Sequence, residues 1–596
     1  MKRATLLFTV ALAMAFAGVV AVFAARPPFA VEDLWAWRSA ADPRITSDGE
    51  WVVYVEGWND RPGDARFCNL WAVASNGKTR KQLTQGNWRD SSPRWSPDNT
   101  RLAWISDRTG KPQIWSRGLE SGAEKQITTV ENPPRSLAWS PDGERIAFTA
   151  LVPRRPATPA WAPPAILSRL DQGREGYVHI FVTPAVGGAA RQVSSGDFDD
   201  TGEPAWTPDG KSILTSRDDG QIYSIRIADG AARQMTPQGG RNENPVLASD
   251  SGRIAWLCAE DKAPSHGVRK ICVMNGDGSR DKVLSGSLDR DARDPQWSSD
   301  SRTVYFVADD RGSTHVYAAR NDGTVRQVTT APERLSDFSL ADNGRAVAVR
   351  STPADSGGIF TFTVDRVSQP AILASPNEHL LAEREIGAAE EIAFPSAGNT
   401  IQAWVVKPPG FDTAKKYPLL LDIRDDPRAM YGVDFRLRAQ ILAARGFVVL
   451  CVNPRGTPGY GEVFGNLLRT RNPGDDFDDL MRGVDFVLSK GYIDSRRVTV
   501  AGGILAAWAI GHTDRFQAAV VRHPAGESAV RPWEEPEQYV KHSPVFFAQH
   551  FKIPTLVMTV DRDAAAEELY QALQARKVES AMLRLGAGKP GEWIVE

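Results

Sequence analysis

The chain has 596 residues, with 71 Lys and Arg against 73 Asp and Glu, and therefore a formal net charge of −2 at pH 7. This near-neutral balance gives no global attraction to nucleic acid or to an anionic membrane surface, so neither is predicted as a partner. Hydrophobic residues make up 42% and charged residues 24%, which indicates a folded globular protein. The chain has four cysteines and no CxxC or HExxH motif, so the sequence predicts no disulfide scaffold, no metal site and no cofactor.

The first 24 residues have the pattern of an export signal. Lys2 and Arg3 precede an uncharged stretch from Ala4 to Ala25, and Val22-Phe23-Ala24 fits the rule for signal-peptidase cleavage. The stretch is long enough to span a bilayer, so an uncleaved membrane anchor at residues 4–25 is the alternative. In both cases the bulk of the chain is predicted to be exported, to the periplasm or the extracellular space.

Export permits disulfides, which bears on two of the four cysteines. Cys258 and Cys272 are spaced so that they could face each other across neighbouring strands. The sequence equally allows both to be free thiols, so their pairing is left open.

A short box recurs through the first half of the chain. An aromatic or apolar residue precedes Ser-Pro-Asp-Gly or a relative of it, and an alternating apolar run follows. Pro presets φ and Gly accepts positive φ, so the box predicts a tight turn between two strands. The seven copies are Thr46-Ser47-Asp48-Gly49, Trp95-Ser96-Pro97-Asp98-Asn99, Trp139-Ser140-Pro141-Asp142-Gly143, Trp206-Thr207-Pro208-Asp209-Gly210, Ala248-Ser249-Asp250-Ser251-Gly252, Trp297-Ser298-Ser299-Asp300-Ser301 and Leu340-Ala341-Asp342-Asn343-Gly344.

The spacing of the boxes predicts the fold of this half. They recur every 42 to 49 residues apart from one interval of 67, which holds a Pro-rich insertion from Val152 to Arg174. A period near 45 with several short strands per unit is typical of a β-propeller. Seven boxes therefore predict a seven-bladed β-propeller over residues 26–376, with the box tryptophans in its core.

The period changes at about residue 385. Continuous apolar runs such as Tyr417–Ile423 and Phe447–Val452 indicate parallel strands that are covered on both faces, with helices between them. Residues 385–596 are therefore predicted to form a doubly wound α/β domain. One of its helices begins with Asp475, Asp476, Asp478 and Asp479, which we interpret as a solvated first turn that complements the helix dipole rather than as a metal site.

Four stretches of the second half carry a family resemblance: Ala429-Met430-Tyr431-Gly432, residues 453–461 (NPRGTPGYG), residues 508–516 (WAIGHTDRF) and residues 539–544. On these stretches, residues 31–596 resemble the prolyl oligopeptidase family of serine peptidases, closest to its acylaminoacyl-peptidase and dipeptidyl-peptidase branch. The resemblance implies a seven-bladed propeller before an α/β-hydrolase domain, and a catalytic triad of Ser, Asp and His.

The expected nucleophile is missing. The family carries it on a G-x-S-x-G elbow between a strand and a helix, whereas this chain has Gly502-Gly503 followed directly by Ile504. Ile504 stands at the position of the serine, about four residues of the elbow are absent, and an isoleucine side chain offers no nucleophile.

The other parts of the mechanism are altered unequally. Asp563 has the family's spacing for the triad acid, but the Gly-rich loop that should hold the histidine contains Lys589, and the domain is expected to be truncated at its C-terminus. Arg424-Asp425-Asp426-Pro427 replaces the family's His-Gly-Gly-Pro oxyanion loop. A carboxylate about 4 Å from a developing oxyanion costs roughly 4 kcal/mol at an effective dielectric constant near 20.

Two functional hypotheses follow. In the first, the chain is an exported pseudopeptidase that binds peptides or a protein partner through the propeller and the cavity between its domains. In the second, it is an active serine peptidase with a non-standard nucleophile, for which Ser528, two residues after Gly526 and near His523, is the candidate. The ligand and the oligomeric state are left open, and a membrane partner is expected only if the N-terminal segment stays uncleaved.

Overall fold

A computed structural model of the chain describes residues 26–154, 176–237, 239–249, 252–260, 267–365, 370–424, 426, 429–468, 473–524, 536–560 and 563–585. The predicted export signal, most of the Pro-rich insertion, and Asp425, Ser528 and Lys589 lie outside these residues. No helix within the described ranges has the length and apolar character needed to cross a membrane.

The first half consists of seven four-stranded antiparallel sheets, which confirms the seven-bladed propeller. Blades 1 to 4 are built from β1 Arg38–Ile45, β2 Trp51–Asp60, β3 Ala65–Ala74 and β4 Arg80–Gln82; β5 Asp90–Trp95, β6 Arg101–Ser106, β7 Gln113–Gly118 and β8 Glu124–Gln126; β9 Pro134–Trp139, β10 Arg145–Pro153, β11 Gly176–Pro184 and β12 Arg191–Gln192; and β13 Asp200–Trp206, β14 Ser212–Arg217, β15 Ile222–Arg226 and β16 Ala232–Gln234.

Blades 5 to 7 follow the same order. Their strands are β17 Arg241–Leu247, β18 Arg253–Ala259, β19 Lys270–Asn275 and β20 Lys282–Val283; β21 Ala292–Trp297, β22 Thr303–Asp310, β23 Ser313–Arg320 and β24 Val325–Gln327; and β25 Arg334–Leu340, β26 Arg345–Thr352, β27 Asp355–Thr363 and β28 Ala371–Ala374. A short helix, α1 (Asp33–Ala36), precedes blade 1, and α2 (Glu378–Glu383) follows blade 7.

The boxes lie between the first and second strands of the blades, and the four boxes that begin with tryptophan also join neighbouring blades. The indole Nε1 of Trp95 donates to the carbonyl of Arg44 in blade 1 at 2.8 Å, and Trp139 donates to Arg94 in blade 2 at 3.0 Å. Trp206 and Trp297 make the equivalent bond to the preceding blade at 3.1 Å. Each of these indoles thus satisfies a backbone carbonyl on the first strand of the preceding blade, which explains why this aromatic residue is tryptophan.

Blade 5 contains the one disulfide found in the described part of the chain. Cys258 on β18 is bonded to Cys272 on the adjacent strand β19, which settles the pairing that the sequence left open. Cys68 and Cys451 are free.

The second domain is an eight-stranded sheet with the order β29-β30-β32-β31-β33-β34-β35-β36, in which β31 to β36 run parallel. The α/β-hydrolase-like fold is therefore confirmed. Its strands are β29 Ala389–Ser396, β30 Asn399–Val406, β31 Tyr417–Asp422, β32 Val448–Asn453, β33 Ile493–Gly502, β34 Ala518–Arg522, β35 Thr555–Val560 and β36 Ser580–Leu585. Its helices are α3 Leu437–Ala444, α4 Glu462–Gly465, α5 Asp475–Ser489, α6 Ile504–His512, α7 Pro536–His542, a 3-10 helix Pro544–His550, and α8 Ala564–Ala575.

Two hydrophobic clusters cover the two faces of this sheet. Helices α5, α6 and α8 pack over one face, where Leu480, Ala507 and Leu569 are buried. On the other face, α3 packs with Trp404 and Tyr431. Covering both faces explains the continuous apolar runs of the central strands.

The propeller meets the α/β domain through backbone contacts of blade 6. The carbonyl of Gly312 accepts from the amide of Val433 at 2.9 Å, and the amide of Arg311 donates to the carbonyl of Gly459 at 3.1 Å. A Cβ at Gly432 would lie 2.1 Å from the Gly312 carbonyl oxygen, so this approach requires glycine. Residues 429–432 and 453–461, two stretches of the family resemblance, therefore lie at the domain interface.

Candidate functional site

The carboxyl ends of the parallel strands bring the predicted site residues to one edge of the sheet. Ligand sites of open α/β sheets lie at this edge. Along it the structure places the end of β31, the turn from β33 into α6, the end of β34, and the loop from β35 into α8.

Ile504 is the first residue of α6 and directly follows the turn out of β33. The carbonyl of Gly503 accepts from the amides of Ala506 and Ala507, both at 3.1 Å, so the chain enters the helix without an intervening loop. A Cβ at Gly502 would lie 2.8 Å from Cβ of Ile423, which explains the glycine at the strand end. Residues 502–507 (GGILAA) contain neither a hydroxyl nor a thiol.

Asp563 follows β35 and caps helix α8. Its Oδ1 accepts from the amides of Ala565 at 3.0 Å and Ala566 at 3.3 Å. Strand β34 lies between β33 and β35, so Asp563 and Ile504 share an edge but are about 10 Å apart laterally. No histidine within the described ranges hydrogen-bonds to Asp563, and the carboxylate acts there as an N-cap.

Two histidines of this domain, His512 and His542, contact groups other than the predicted triad residues. His512 stacks on Trp508 with ring centroids 3.7 Å apart, its Nδ1 lies 2.9 Å from the Trp508 carbonyl oxygen, and burial lowers its pKa. Nδ1 of His542 lies 3.2 Å from the carbonyl oxygen of Pro473. His523 is exposed just after β34, with a left-handed backbone at φ +44°. The rival nucleophile Ser528 is outside the described residues.

The free thiol of Cys451 is no substitute for a serine nucleophile. It lies near the end of β32, fully buried, and burial raises its pKa to about 12. A thiol with such a pKa carries almost no thiolate at neutral pH and is unreactive.

A buried ionic network occupies the same edge, on the sheet face that packs against α3. Asp422, at the end of β31, has its Oδ1 3.1 Å from Nη2 of Arg438 and 3.5 Å from Nη2 of Arg522. Arg522 belongs to β34, so its side chain reaches across the end of β33 to Asp422, and it also donates to the carbonyl of Ile423 at 3.1 Å. Two guanidiniums thus lie around the Asp422 carboxylate beside the β33 turn.

The network extends into the loop that precedes α3. The hydroxyl of Tyr431 donates to the Asp422 carbonyl at 2.9 Å, and the guanidinium of Arg424 lies 4.2 Å from the Tyr431 ring centroid. Nη2 of Arg436 lies 3.7 Å from a carboxylate oxygen of Asp434. Burial raises the pKa of the Asp422 carboxyl, and the guanidiniums of Arg522, Arg436 and Arg424 oppose that rise.

Of the charged residues in this network, only Arg424 was predicted from the sequence to lie near the site. The available signals were an aspartate inside the apolar run of β31 and an arginine that ends the apolar strand β34. A charged residue in such a run indicates a buried pair, but its partner depends on the strand order.

The acidic start of α5 differs from our interpretation. Asp478 is exposed, but Asp476 and Asp479 are 2% and 0% exposed, so the turn is not a solvated one. Asp479 accepts from Arg455 and fixes the start of residues 453–461, while Asp476 accepts from the amides of Gly474 and Phe477. The prediction was wrong because it assigned all four carboxylates to the exposed face of the helix. No group of metal-ligating side chains lies among the described residues.

The propeller contains a separate cavity of about 640 Å³, away from this edge. It opens between blade 1 and the segment after blade 7, and its walls include Trp58, Trp71 and His379. Arg38 and Arg80 cover the two indoles at 5.5 and 4.0 Å from the ring centroids. Ser375 and Glu378 also line it.

Comparisons with known proteins agree with the fold. A family profile described as the prolyl oligopeptidase family matches residues 433–528, and one described as the TolB beta propeller domain matches residues 39–153. An uncharacterized peptidase of Bacillus subtilis, YuxL, is 27% identical over 93% of this chain and 94% of its own length. Dipeptidyl-peptidase 5 of Porphyromonas gingivalis is 23% identical over 80% of this chain and 76% of its own.

Solved structures match over nearly the whole chain. The acylaminoacyl peptidase of Pyrococcus horikoshii superposes with a TM-score of 0.77 at 21% identity, covering 94% of both chains. An acylaminoacyl peptidase in complex with Z-Gly-Gly-Phe-chloromethyl ketone gives a TM-score of 0.78 at 20% identity, again over 94% of both. At these identities the likeness concerns the fold alone.

Proposed function

The chain belongs to the prolyl oligopeptidase family, and from that premise we propose that it binds peptides, or a peptide segment of a partner protein, without hydrolysing them. One observation carries the proposal: β33 passes through Gly502-Gly503 directly into α6, whose first residue is Ile504, at the strand-to-helix turn where the family resemblance implies the nucleophile. Loss of the nucleophile from a serine triad costs on the order of a millionfold in rate.

Two further features support the absence of hydrolysis. The carboxylate of Asp563, which has the spacing of the triad acid, is bound to the first amides of α8. The network beside the turn places the guanidinium of Arg522 across the end of β33. A triad needs nucleophile, base and acid in one hydrogen-bonded chain, and the described residues supply none of its links.

The junction between the domains supports the binding half of the proposal. Residues 429–435 and 453–461 pack against blade 6, so the edge of the sheet lies beside the contact between the domains. Ligand sites favour such domain junctions. The acylaminoacyl peptidase solved with Z-Gly-Gly-Phe-chloromethyl ketone has the same fold and supports an N-acylated peptide as the first ligand to test.

We propose further that the protein works outside the cytoplasm. The supporting observations are the export pattern of residues 1–24 and the disulfide between Cys258 and Cys272, since disulfides persist mainly in oxidising compartments.

The deciding experiment combines an activity probe with a binding assay on the purified mature chain. We expect no labelling by a fluorophosphonate, which reacts with activated serines, and no turnover of acyl-aminoacyl or prolyl chromogenic substrates. Equilibrium dialysis against a defined mixture of N-acylated tripeptides should retain a subset of them, unaltered in mass.

The same experiment tests the alternative, an active peptidase with a non-standard nucleophile. Labelling that Ser528→Ala abolishes and the surface control Ser489→Ala leaves unchanged would establish that alternative and overturn the proposal. Retention of no tripeptide would remove the support for peptide binding.

A further inference from the structure

The cavity in the propeller has the size and the walls of a site for a small ligand. It is formed by the face of blade 1 that carries Trp58 on β2 and Trp71 on β3, by residues 85–87, and by the segment after blade 7. Its volume of about 640 Å³ lies within the range of about 300–1,000 Å³ that is typical of small-molecule sites. It shares no residue with the sheet edge of the α/β domain.

Blade 1 differs from blade 2 at this place. Trp71 and Trp115 hold equivalent positions on the third strands of their blades, and each pairs across the ladder with a glutamine. In blade 2, Arg108 covers the Trp115 ring at 4.6 Å, and two carboxylates hold that guanidinium there. Trp58 lies seven residues after the start of β2, as Arg108 lies seven residues after the start of β6. An indole that lines the cavity therefore replaces the fixed arginine of blade 2.

Arg80 forms a rigid part of the cavity wall. Its guanidinium carbon lies 4.0 Å from the Trp71 ring centroid, its Nε donates to the hydroxyl of Tyr54 at 2.6 Å, and its Nη2 donates to the carboxylate of Glu56. These contacts fix the plane of the guanidinium before any ligand arrives, while its Nη1 donates to no group among the described residues. Arg80 therefore offers oriented hydrogen-bond donors at little cost in entropy.

Asn69 fixes the loop that forms another wall. Its buried side chain donates to the carbonyls of Cys68 at 2.9 Å and Gly86 at 3.2 Å, and its Oδ1 accepts from the amide of Gly86 at 3.2 Å. Both backbone groups of Gly86 are thus held, and the side chains of its neighbours Gln85 and Asn87 are exposed at the cavity. Each of these two amides presents a donor and an acceptor to a ligand.

The charges of the cavity walls favour an uncharged ligand. The lining contains two guanidiniums, of Arg38 and Arg80, and two carboxylates, of Glu56 and Glu378, so their formal charges cancel. Arg38 is exposed, its side chain forms no ion pair with any described residue, and its guanidinium carbon lies 5.5 Å from the Trp58 ring centroid. This side chain can therefore move aside and open the face of the Trp58 indole to a ligand.

The combination of indoles and amides matches the two kinds of surface on a sugar ring. The face of an indole carries the negative part of its quadrupole and attracts the C–H groups of such a ring. A sugar hydroxyl both donates and accepts, as the amides of Gln85 and Asn87 do. A proline-rich peptide would also pack on indoles, but proline has no N–H, so it would leave the carboxylate of Glu378 without a donor.

We propose that this cavity binds a short neutral saccharide, whose ring packs on Trp58 and whose hydroxyls bond to Arg80, Gln85 and Asn87. The propeller then carries a ligand site of its own, separate from the peptide site of the proposed function and independent of it.

The test is a calorimetric titration of the full mature chain at pH 7 with the neutral trisaccharides of glucose, mannose, xylose and N-acetylglucosamine. At least one of the four should bind, and Trp58→Ala should weaken that binding by at least about tenfold. The matched control is Trp51→Ala, at the other end of β2. Trp51 is half-buried under Lys81 at 4.7 Å and lies outside the cavity, so its loss should change the affinity by less than about twofold.

A second variant keeps the test decisive if Trp58→Ala does not fold. Gln85→Ala/Asn87→Ala changes only exposed amides, and it should also weaken the saccharide by at least about tenfold. Binding of none of the four trisaccharides would overturn the proposal, and so would binding that the cavity variants leave unchanged. Binding of capped hexaproline that Trp58→Ala weakens, without binding of any saccharide, would overturn the assignment to a saccharide and give the cavity to a peptide.

Discussion

Arg455 and Asp479 form a buried, bidentate ion pair that connects residues 453–461 to helix α5. Nε of Arg455 donates to Oδ2 of Asp479 at 2.8 Å and Nη2 donates to Oδ1 at 2.9 Å, while the Arg455 amide donates to Oδ2 at 2.9 Å. One carboxylate thus fixes both the side chain and the backbone where the chain leaves β32 for the domain interface.

The first prediction concerns this carboxylate. Asp479→Asn removes the charge and one acceptor, and leaves Asp475, 3.3 Å from Nη1 of Arg455, as the remaining counter-ion of the buried guanidinium. We expect the free energy of unfolding to fall by up to about 3–5 kcal/mol, measured by urea denaturation at pH 7. Asp478→Asn, in the same turn but exposed, is the control and should change it by less than about 1 kcal/mol. Equal effects of the two substitutions would show that the pair is not a fixed anchor.

The second prediction concerns Asp476, whose ionised carboxylate should lower the free energy of unfolding. Burial raises the pKa of Asp476 from 3.8 to about 6, because the hydrogen bonds from Gly474 and Phe477 only partly replace its hydration. A carboxyl whose folded pKa is raised lowers stability as pH rises from about 4 to 6, and the loss is complete above the folded pKa. About two pKa units correspond to at most about 3 kcal/mol.

Asp476→Asn keeps an acceptor for both amides and removes the titration. The variant should therefore match the wild type at pH 4 and exceed its stability at pH 7.5 by up to about 3 kcal/mol, in parallel urea titrations at the two pH values. A variant that is less stable than the wild type at pH 7.5 would show that the ionised carboxylate is favourable at this position.

The propeller and the two buried aspartates, Asp476 and Asp479, illustrate what the sequence could and could not predict. Seven turn boxes at a nearly constant period were enough for the propeller, because every blade repeats the same local chemistry. The burial of carboxylates at the start of α5 could not be predicted in this way. Which of these carboxylates face the interior depends on Arg455, a partner 24 residues away in the sequence. The pair of Arg522 with Asp422 depends on β34 and β31 flanking β33, an order that crossover connections set and local patterns do not record.

The third prediction assigns Asp563 a structural role. Because its Oδ1 caps two amides of α8, Asp563→Ala should lower the free energy of unfolding by about 1 kcal/mol, within a range of about 0.5–2. Asp563→Ser supplies another capping oxygen and should restore most of that loss in the same thermal or urea measurement. If serine were no better than alanine, the carboxylate would have a role other than capping.

The fourth prediction concerns export. Mature protein recovered from the exported fraction should begin at Ala25 and contain a peptide cross-linked through Cys258 and Cys272 in a non-reducing digest. Reduction should lower stability by up to about 3 kcal/mol, since the disulfide closes a loop of about 15 residues. Intact mass that includes residues 1–24, with the protein in the membrane pellet, would favour the anchor instead.

The last prediction is that restoring catalytic residues singly does not restore catalysis. Ile504→Ser would place a hydroxyl on the first residue of α6, where no described histidine stands ready to take its proton. Lys589→His would supply a base with no nucleophile to activate. Asp563 would remain bound to the amides of α8. The sequence would still carry two aspartates, Asp425 and Asp426, where the family resemblance implies an oxyanion loop.

Triad members act as a unit, so their effects are strongly non-additive and one restored member gains almost nothing. We therefore expect each single variant, and the Ile504→Ser/Lys589→His pair, to stay within tenfold of the buffer rate with acyl-aminoacyl and prolyl chromogenic substrates. Calorimetry with Z-Gly-Gly-Phe should meanwhile give unchanged affinity for the Lys589→His variant, which separates binding from chemistry. A single substitution that raises turnover a hundredfold above the parent chain would show that the catalytic geometry is still assembled, and that the direct passage from β33 into α6 does not prevent it.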